Sequence, residues 1–151
     1  MKIPVASDHA GFEAKEQVKQ VLTKLGYTPV DLGTHSADSV DYPDYAVLVA
    51  QAIDSNQHEK GILVCGSGQG MCITANKFDN VRAALVYDED TAALTRQHND
   101  ANILCLPGRT LHNELENIVK IWLNTKFEGG RHSRRINKIH DLTSKTDITK
   151  S

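Results

Sequence analysis

The residues with the clearest chemical potential are Cys65-Gly66-Ser67-Gly68-Gln69-Gly70, which follow the wholly apolar stretch GILVC at 61–65. Three glycines in five positions let the backbone turn sharply and aim several N–H groups at one point, and the start of a following helix adds positive potential. An oxyanion or phosphate fits such a loop. The dinucleotide fingerprint GxGxxG is not matched, because Met71 stands where its third glycine would fall and the run follows the third strand rather than the first. A Walker loop needs GK[ST], and the stretch has no Lys. A cysteine-phosphatase loop needs Arg six positions after its Cys, where this chain again has Met71. Thiolates are favoured near helix N-termini, which makes Cys65 a candidate nucleophile or general base, with an inert core cysteine as the alternative. Cys72 and Cys105, on a helix and in a strand, read as core.

Three further groups carry chemistry. Asp8-His9 follows the first strand, where Asp can be an ordinary helix cap or, with His9, a substrate contact. His98-Asn99-Asp100 ends a helix just before the fifth strand. Arg131 and Arg135 are spaced i, i+4 and share a helix face, with His132 beside them. Paired arginines suit bidentate phosphate recognition, and a solvated basic helix is the plainer reading. Gly129-Gly130 gives the preceding turn freedom to place that helix. His35, His58, His112 and His140 read as surface groups.

These groups must be held by an alternating pattern. Strands are expected at 2–7, 27–32, 61–65, 82–87 and 102–106, and helices at 11–25, 43–53, 69–77, 88–98, 110–123 and 131–140. Pro29 marks the second strand as an edge or irregular one. Strands separated by helices imply right-handed parallel crossovers, hence a single-domain α/β, doubly wound, three-layer sandwich with a five-stranded parallel, Rossmann-like sheet. Ligands in that architecture bind beyond the carboxyl ends of the strands, where Asp8, His9, the Cys65 loop and Arg109 fall.

Length and composition agree. The 151 residues make one domain, expected over 1–140, with 141–151 as a weakly ordered tail. Hydrophobic residues at 40% and charged residues at 24% fit a soluble globular chain. A net charge of −2 and 5% aromatics speak against nucleic acid as a partner, and no apolar run approaches the ~18 residues of a membrane span. The N-terminus does not read as a signal peptide, so a cytoplasmic location is expected. Three cysteines without a CxxC pair argue against a disulfide framework or structural zinc.

SDHAG (7–11), VDYPDYA (40–46), GILVCGSGQGM (61–71), ANKF (75–78), RQHNDAN (96–102) and EGGRHSRR (128–135), in that order, resemble the type B ribose-5-phosphate isomerases, a family that includes the galactose-6-phosphate isomerase subunits. The resemblance runs from residue 1 to about 140. It implies interconversion of ribose 5-phosphate and ribulose 5-phosphate through a cis-enediolate, with no cofactor and no metal. It gives Cys65 the role of base between C2 and C1. Some members use a glutamate further along the loop, but Gly70 to Thr74 holds no carboxylate here. It makes His98 the ring-opening proton donor, with Asp8 on the ring's other side and Ser67 assisting Cys65. The loop Gly66, Ser67, Gly68, Gln69, Gly70 would hold the enediolate oxygens. His9, Asn99, Arg109, Arg131 and Arg135 would bind substrate, the arginines chiefly its phosphate. A homodimer or homotetramer with its site between subunits is implied as well. Two alternatives remain at this level: an isomerase of a 6-phosphohexose such as galactose or allose 6-phosphate, and a non-catalytic sugar-phosphate sensor.

Overall fold

The structure, a computed structural model, describes residues 1–144. The chain runs β1 (Lys2–Ser7), α1 (Phe12–Lys24), β2 (Thr28–Asp31), α2 (Tyr42–Asp54), β3 (Gly61–Cys65), α3 (Gln69–Ala75), β4 (Ala83–Leu85), α4 (Glu89–Gln97), β5 (Ile103–Pro107), α5 (Leu115–Asn124) and α6 (Arg131–Thr143). The five strands form one all-parallel sheet in the order β2-β1-β3-β5-β4. The expected α/β architecture is therefore the observed one, and β2, with Pro29, is an edge strand.

Strand side chains alternate between two layers, as a pleated sheet requires. Ile3, Val5, Ile62, Val64, Leu104 and Leu106 pack with α1, α4 and α5, around Trp122. Ala6, Leu63, Cys65, Ile103 and Cys105 face the other way, onto Val49, Ile53 and Met71 of α2 and α3. With helices on both faces, β3 and β5 are buried throughout, which explains their unbroken apolar sequences. The chain leaves β1 toward β2 on one side and toward β3 on the other. The crevice between the carboxyl ends of β1 and β3 is thus the topological switch point of this sheet.

Three elements depart from expectation, each for a local reason. The helix expected from Thr110 starts only at Leu115. The intervening turn is anchored instead: Gly108 N–H donates to the Cys65 carbonyl at 2.7 Å and Arg109 N–H to the Gly66 carbonyl at 3.1 Å. The fourth strand shrinks to Ala83–Leu85, because the Arg82 N–H donates to the Asn102 side chain at 2.7 Å rather than to a strand. Helix α6 continues to Thr143, so residues 141–143 of the expected tail are helical, and 145–151 lie outside the described residues. No helix among the described residues is long and apolar enough to cross a membrane.

Candidate active site

The expected site residues fall into two groups at opposite ends of the strands. The first group sits at the switch point. Cys65, the last residue of β3, is 4% exposed and turned toward α2 and α3, and its Sγ accepts the Gly68 N–H at 3.2 Å. That contact needs the left-handed backbone of Gly68, at φ +79°. Ser67 is exposed, and its Oγ accepts the Gln69 N–H at 3.3 Å. Two N–H groups of the loop are thereby engaged within it.

Around this loop, backbone meets backbone with no room for side chains. A Cβ on Gly11 would lie 2.5 Å from the Val64 carbonyl oxygen, and one on Gly108 would lie 3.2 Å from Gly11 Cα. Arg109 folds over Gly66, its guanidinium carbon 2.9 Å from where a Cβ there would stand. Tyr42, at the start of α2, covers Gly70 in the same way, with ring carbons 2.6 Å from the Cβ position. Sequence reasoning missed this tyrosine, although VDYPDYA pointed at its segment.

Asp8 and His9 complete the group. Asp8 is 7% exposed and accepts the Gly11 N–H at 2.9 Å, so it does cap the turn into α1. His9 Nδ1 accepts the Val40 N–H at 3.1 Å, which leaves Nε2 as the nitrogen that donates. The turn beneath them is tied to β1: Ser7 N–H donates to the Gly33 carbonyl and Thr34 N–H to the Ser7 carbonyl, at 2.8 and 2.9 Å. Asp31 in turn accepts the Gly33 N–H and the ammonium groups of buried Lys15 and of Lys19. Burial pushes the Asp31 carboxyl up, but these hydrogen bonds outweigh it and hold the group down at about 2.

The second group lies at the amino ends of the strands. His98 caps the C-terminus of α4, four residues before Asn102, whose carbonyl accepts the Gly61 N–H where β3 begins. The His98 and His132 rings stack at 4.4 Å with 13° between planes. Glu128 Oε1 lies 3.7 Å from His98 Nε2 and 3.6 Å from His132 Nε2. Buried Arg96 anchors this turn, donating to the Ala101 carbonyl and the Asp100 carboxylate at 2.7 and 2.8 Å. Asn99 lines a cavity of about 770 Å³ that also involves Phe78, Arg82 and Ile136. Arg131 and Arg135 are exposed on α6, whose one buried side chain is His132. Burial, then the neighbouring His98 and Arg131, lower the His132 pKa from its ordinary value.

One chain therefore does not bring His98, Asn99, Arg131 and Arg135 to Cys65. A single sheet edge holding both the glycine loop and the arginine helix is not what one chain forms. The parallel crossover is the reason: α4 runs antiparallel to the strands, so its end returns to the amino edge. The remaining cysteines match their reading as core. Cys105 is buried, which pushes its thiol pKa well up, and half-buried Cys72 donates to the Ala83 carbonyl at 3.4 Å.

A thiol on a glycine loop beneath an arginine, at the switch point of a doubly wound sheet without a nucleotide fingerprint, defines an α/β enzyme that handles a small anionic substrate. A family model described as Ribose/Galactose Isomerase matches residues 3–139, and the chain belongs to that family. It is 42% identical to the ribose-5-phosphate isomerase B of Escherichia coli strain K12 over 139 residues, 91% of this chain and 93% of that one. The crystal structure of a ribose 5-phosphate isomerase from Thermotoga maritima superposes with a TM-score of 0.89 at 55% identity, covering 93% of this chain and 97% of that one. The ribose-5-phosphate isomerase B of Mycoplasma genitalium, solved with bound ribulose-5-phosphate, does so with a TM-score of 0.89 at 46% identity, covering 93% and 95%.

Proposed function

We propose that this protein interconverts ribose 5-phosphate and ribulose 5-phosphate, and that each site is completed by a second copy of the chain. The carrying observation is the division just described: one edge of the sheet holds Asp8, His9, Cys65 to Gly70 and Arg109, and the other holds His98, Asn99, Arg131 and Arg135. A two-fold dimer is self-complementary, so it can set the first edge of each copy against the second edge of the other. Exposed apolar side chains on both halves support such burial: Tyr42, Ile73 and Tyr87 on one side, Ile139 and Leu142 on α6.

In this reading His98 of one copy gives a proton to the ring oxygen while Asp8 of the other takes the proton of the C1 hydroxyl, so that the bond from C1 to the ring oxygen breaks and C1 becomes the carbonyl of the open aldose. The Cys65 thiolate then takes the C2 proton of the open aldose while the C1 carbonyl becomes an oxyanion. The Gly66–Gly70 loop faces that oxygen, and a preorganised donor at such a point contributes about 3 kcal/mol. The same proton returns to C1 as the C2 oxygen becomes the carbonyl, its hydroxyl proton passing to O1. Ser67, two residues along the loop, assists the thiol. Arg109 from one copy and Arg131 and Arg135 from the other grip the phosphate, and His9 and Asn99 orient the hydroxyls. Remote binding energy of this kind positions the reacting carbons.

Mixing two inactive variants tests the shared site. Cys65→Ala and His98→Asn are each purified inactive, then unfolded and refolded together. Half of a random mixture is heterodimer, and each heterodimer holds one intact site, so about a quarter of wild-type activity returns. No recovery from a mixture shown to contain heterodimer would refute the shared site.

A further inference from the structure

His98, Glu128 and His132 form a cluster whose members the isomerisation does not need as a set. One ligand atom from each lies within 4.8 Å of the others. The two N···O distances, 3.7 and 3.6 Å, are only a few tenths longer than the roughly 3.4 Å between neighbouring ligand atoms around a tetrahedral zinc ion with bonds of about 2.1 Å. The stacked rings must fan slightly apart to share an ion. His98 and Glu128 are 41% and 52% exposed and free to adjust, whereas His132, at 9%, is held.

The backbone has already brought the three together. Glu128 N–H donates to the carbonyl of Gln97, next to His98, and His132 N–H donates to the Gly129 carbonyl, both at 3.1 Å. The glycine pair at φ +70° and +60° turns the chain so that Glu128 faces His132. Two neutral imidazoles and a carboxylate are the donor set of open zinc sites, with a fourth position left to water.

We propose that His98, Glu128 and His132 bind one divalent transition-metal ion of the zinc class, and that this ion inhibits the enzyme by occupying the imidazole that opens the sugar ring. The inhibition rests on the role given to His98 above; the binding does not. Arg131 and Arg135, on the same helix as His132, oppose the cation, so the site takes a strongly coordinating metal and not Mg²⁺.

Co²⁺ is the direct probe, read by its visible absorption in chelator-treated protein. One Co²⁺ per chain is expected, displaced by Zn²⁺. The signal disappears in His132→Ala, weakens at least tenfold in the surface variant Glu128→Gln, and persists in Cys65→Ala, which separates the cluster from the thiol. Zn²⁺ is expected to stop turnover and EDTA to restore it, with the half-inhibiting Zn²⁺ concentration raised at least tenfold in Glu128→Gln. An absent Co²⁺ spectrum, or one unchanged in both His132→Ala and Glu128→Gln, overturns the site. Full turnover with the site loaded overturns the inhibition. The Co²⁺ titration reads binding even in a protein that does not isomerise ribose 5-phosphate, so the two readings fail separately.

Discussion

The two ends of the sheet are built differently. At the carboxyl edge the geometry is made of backbone: Gly11 against Val64, Gly108 against Gly11, Arg109 over Gly66, and a cysteine fixed by one N–H of its own loop. At the amino edge it is made of side chains: two stacked imidazoles, a carboxylate, and arginines on a helix with one buried residue. A base that must take a proton from one carbon and return it to the next gains from a fixed position. In the proposed reaction, the groups that grip the phosphate and open the ring must instead reach across to a second copy. Substitutions at the thiol or in the packed backbone of the first edge should therefore be felt as lost chemistry or lost fold, and those at the arginines, on either edge, as weakened binding.

The largest separation comes from Cys65→Ala. It removes the proposed base and lowers kcat by about 10²–10⁴-fold, and chemical denaturation should show little change in stability. Retained turnover would move the base elsewhere. Gly11→Ala comes next. Its methyl would stand 2.5 Å from the Val64 carbonyl oxygen, which is backbone and cannot yield cheaply, so a stability loss of about 3 kcal/mol is expected. A tolerated alanine would break the claim that backbone defines this edge.

Acid should loosen the same edge. The folded pKa of Asp31 is lowered to about 2, below its ordinary 3.8. Its stabilising contribution is therefore present above about pH 4 and lost as the pH falls toward 2, costing roughly 1–2 kcal/mol. Asp31→Asn should flatten that part of the stability–pH curve. The smallest effect belongs to Gly66→Ala. Its methyl meets the far end of the flexible Arg109 side chain, which can move, so the fold survives and KM rises about five- to tenfold through a displaced phosphate contact. A KM unchanged to within twofold would place Arg109 outside the phosphate site.

Much of the carboxyl edge was legible because its determinants are local in sequence. The apolar run of β3 and the glycines after Cys65 specify a buried parallel strand ending in a tight loop, and Asp8 falls after β1 by simple periodicity. The late start of α5 was not legible, since it depends on hydrogen bonds from Gly108 and Arg109 to residues more than forty positions earlier. The place of His98 was hidden for a related reason. Its neighbours are Glu128 and His132, brought to it by a glycine turn that favours no one direction in sequence. Composition likewise gave no warning that Tyr42 covers Gly70, since only the folded chain puts α2 over α3.

Because Gly11 stands against the Val64 carbonyl and Gly108 against Gly11, the turns bearing Asp8, Cys65 and Arg109 are welded into one anvil. In the proposed reaction a sugar that lengthens from ring to open chain meets an anvil that cannot bend, which makes the turn at Gly129 and Gly130, both at positive φ, the expected pivot. Amide exchange would record the contrast as slow protons around the weld and fast ones at the pivot.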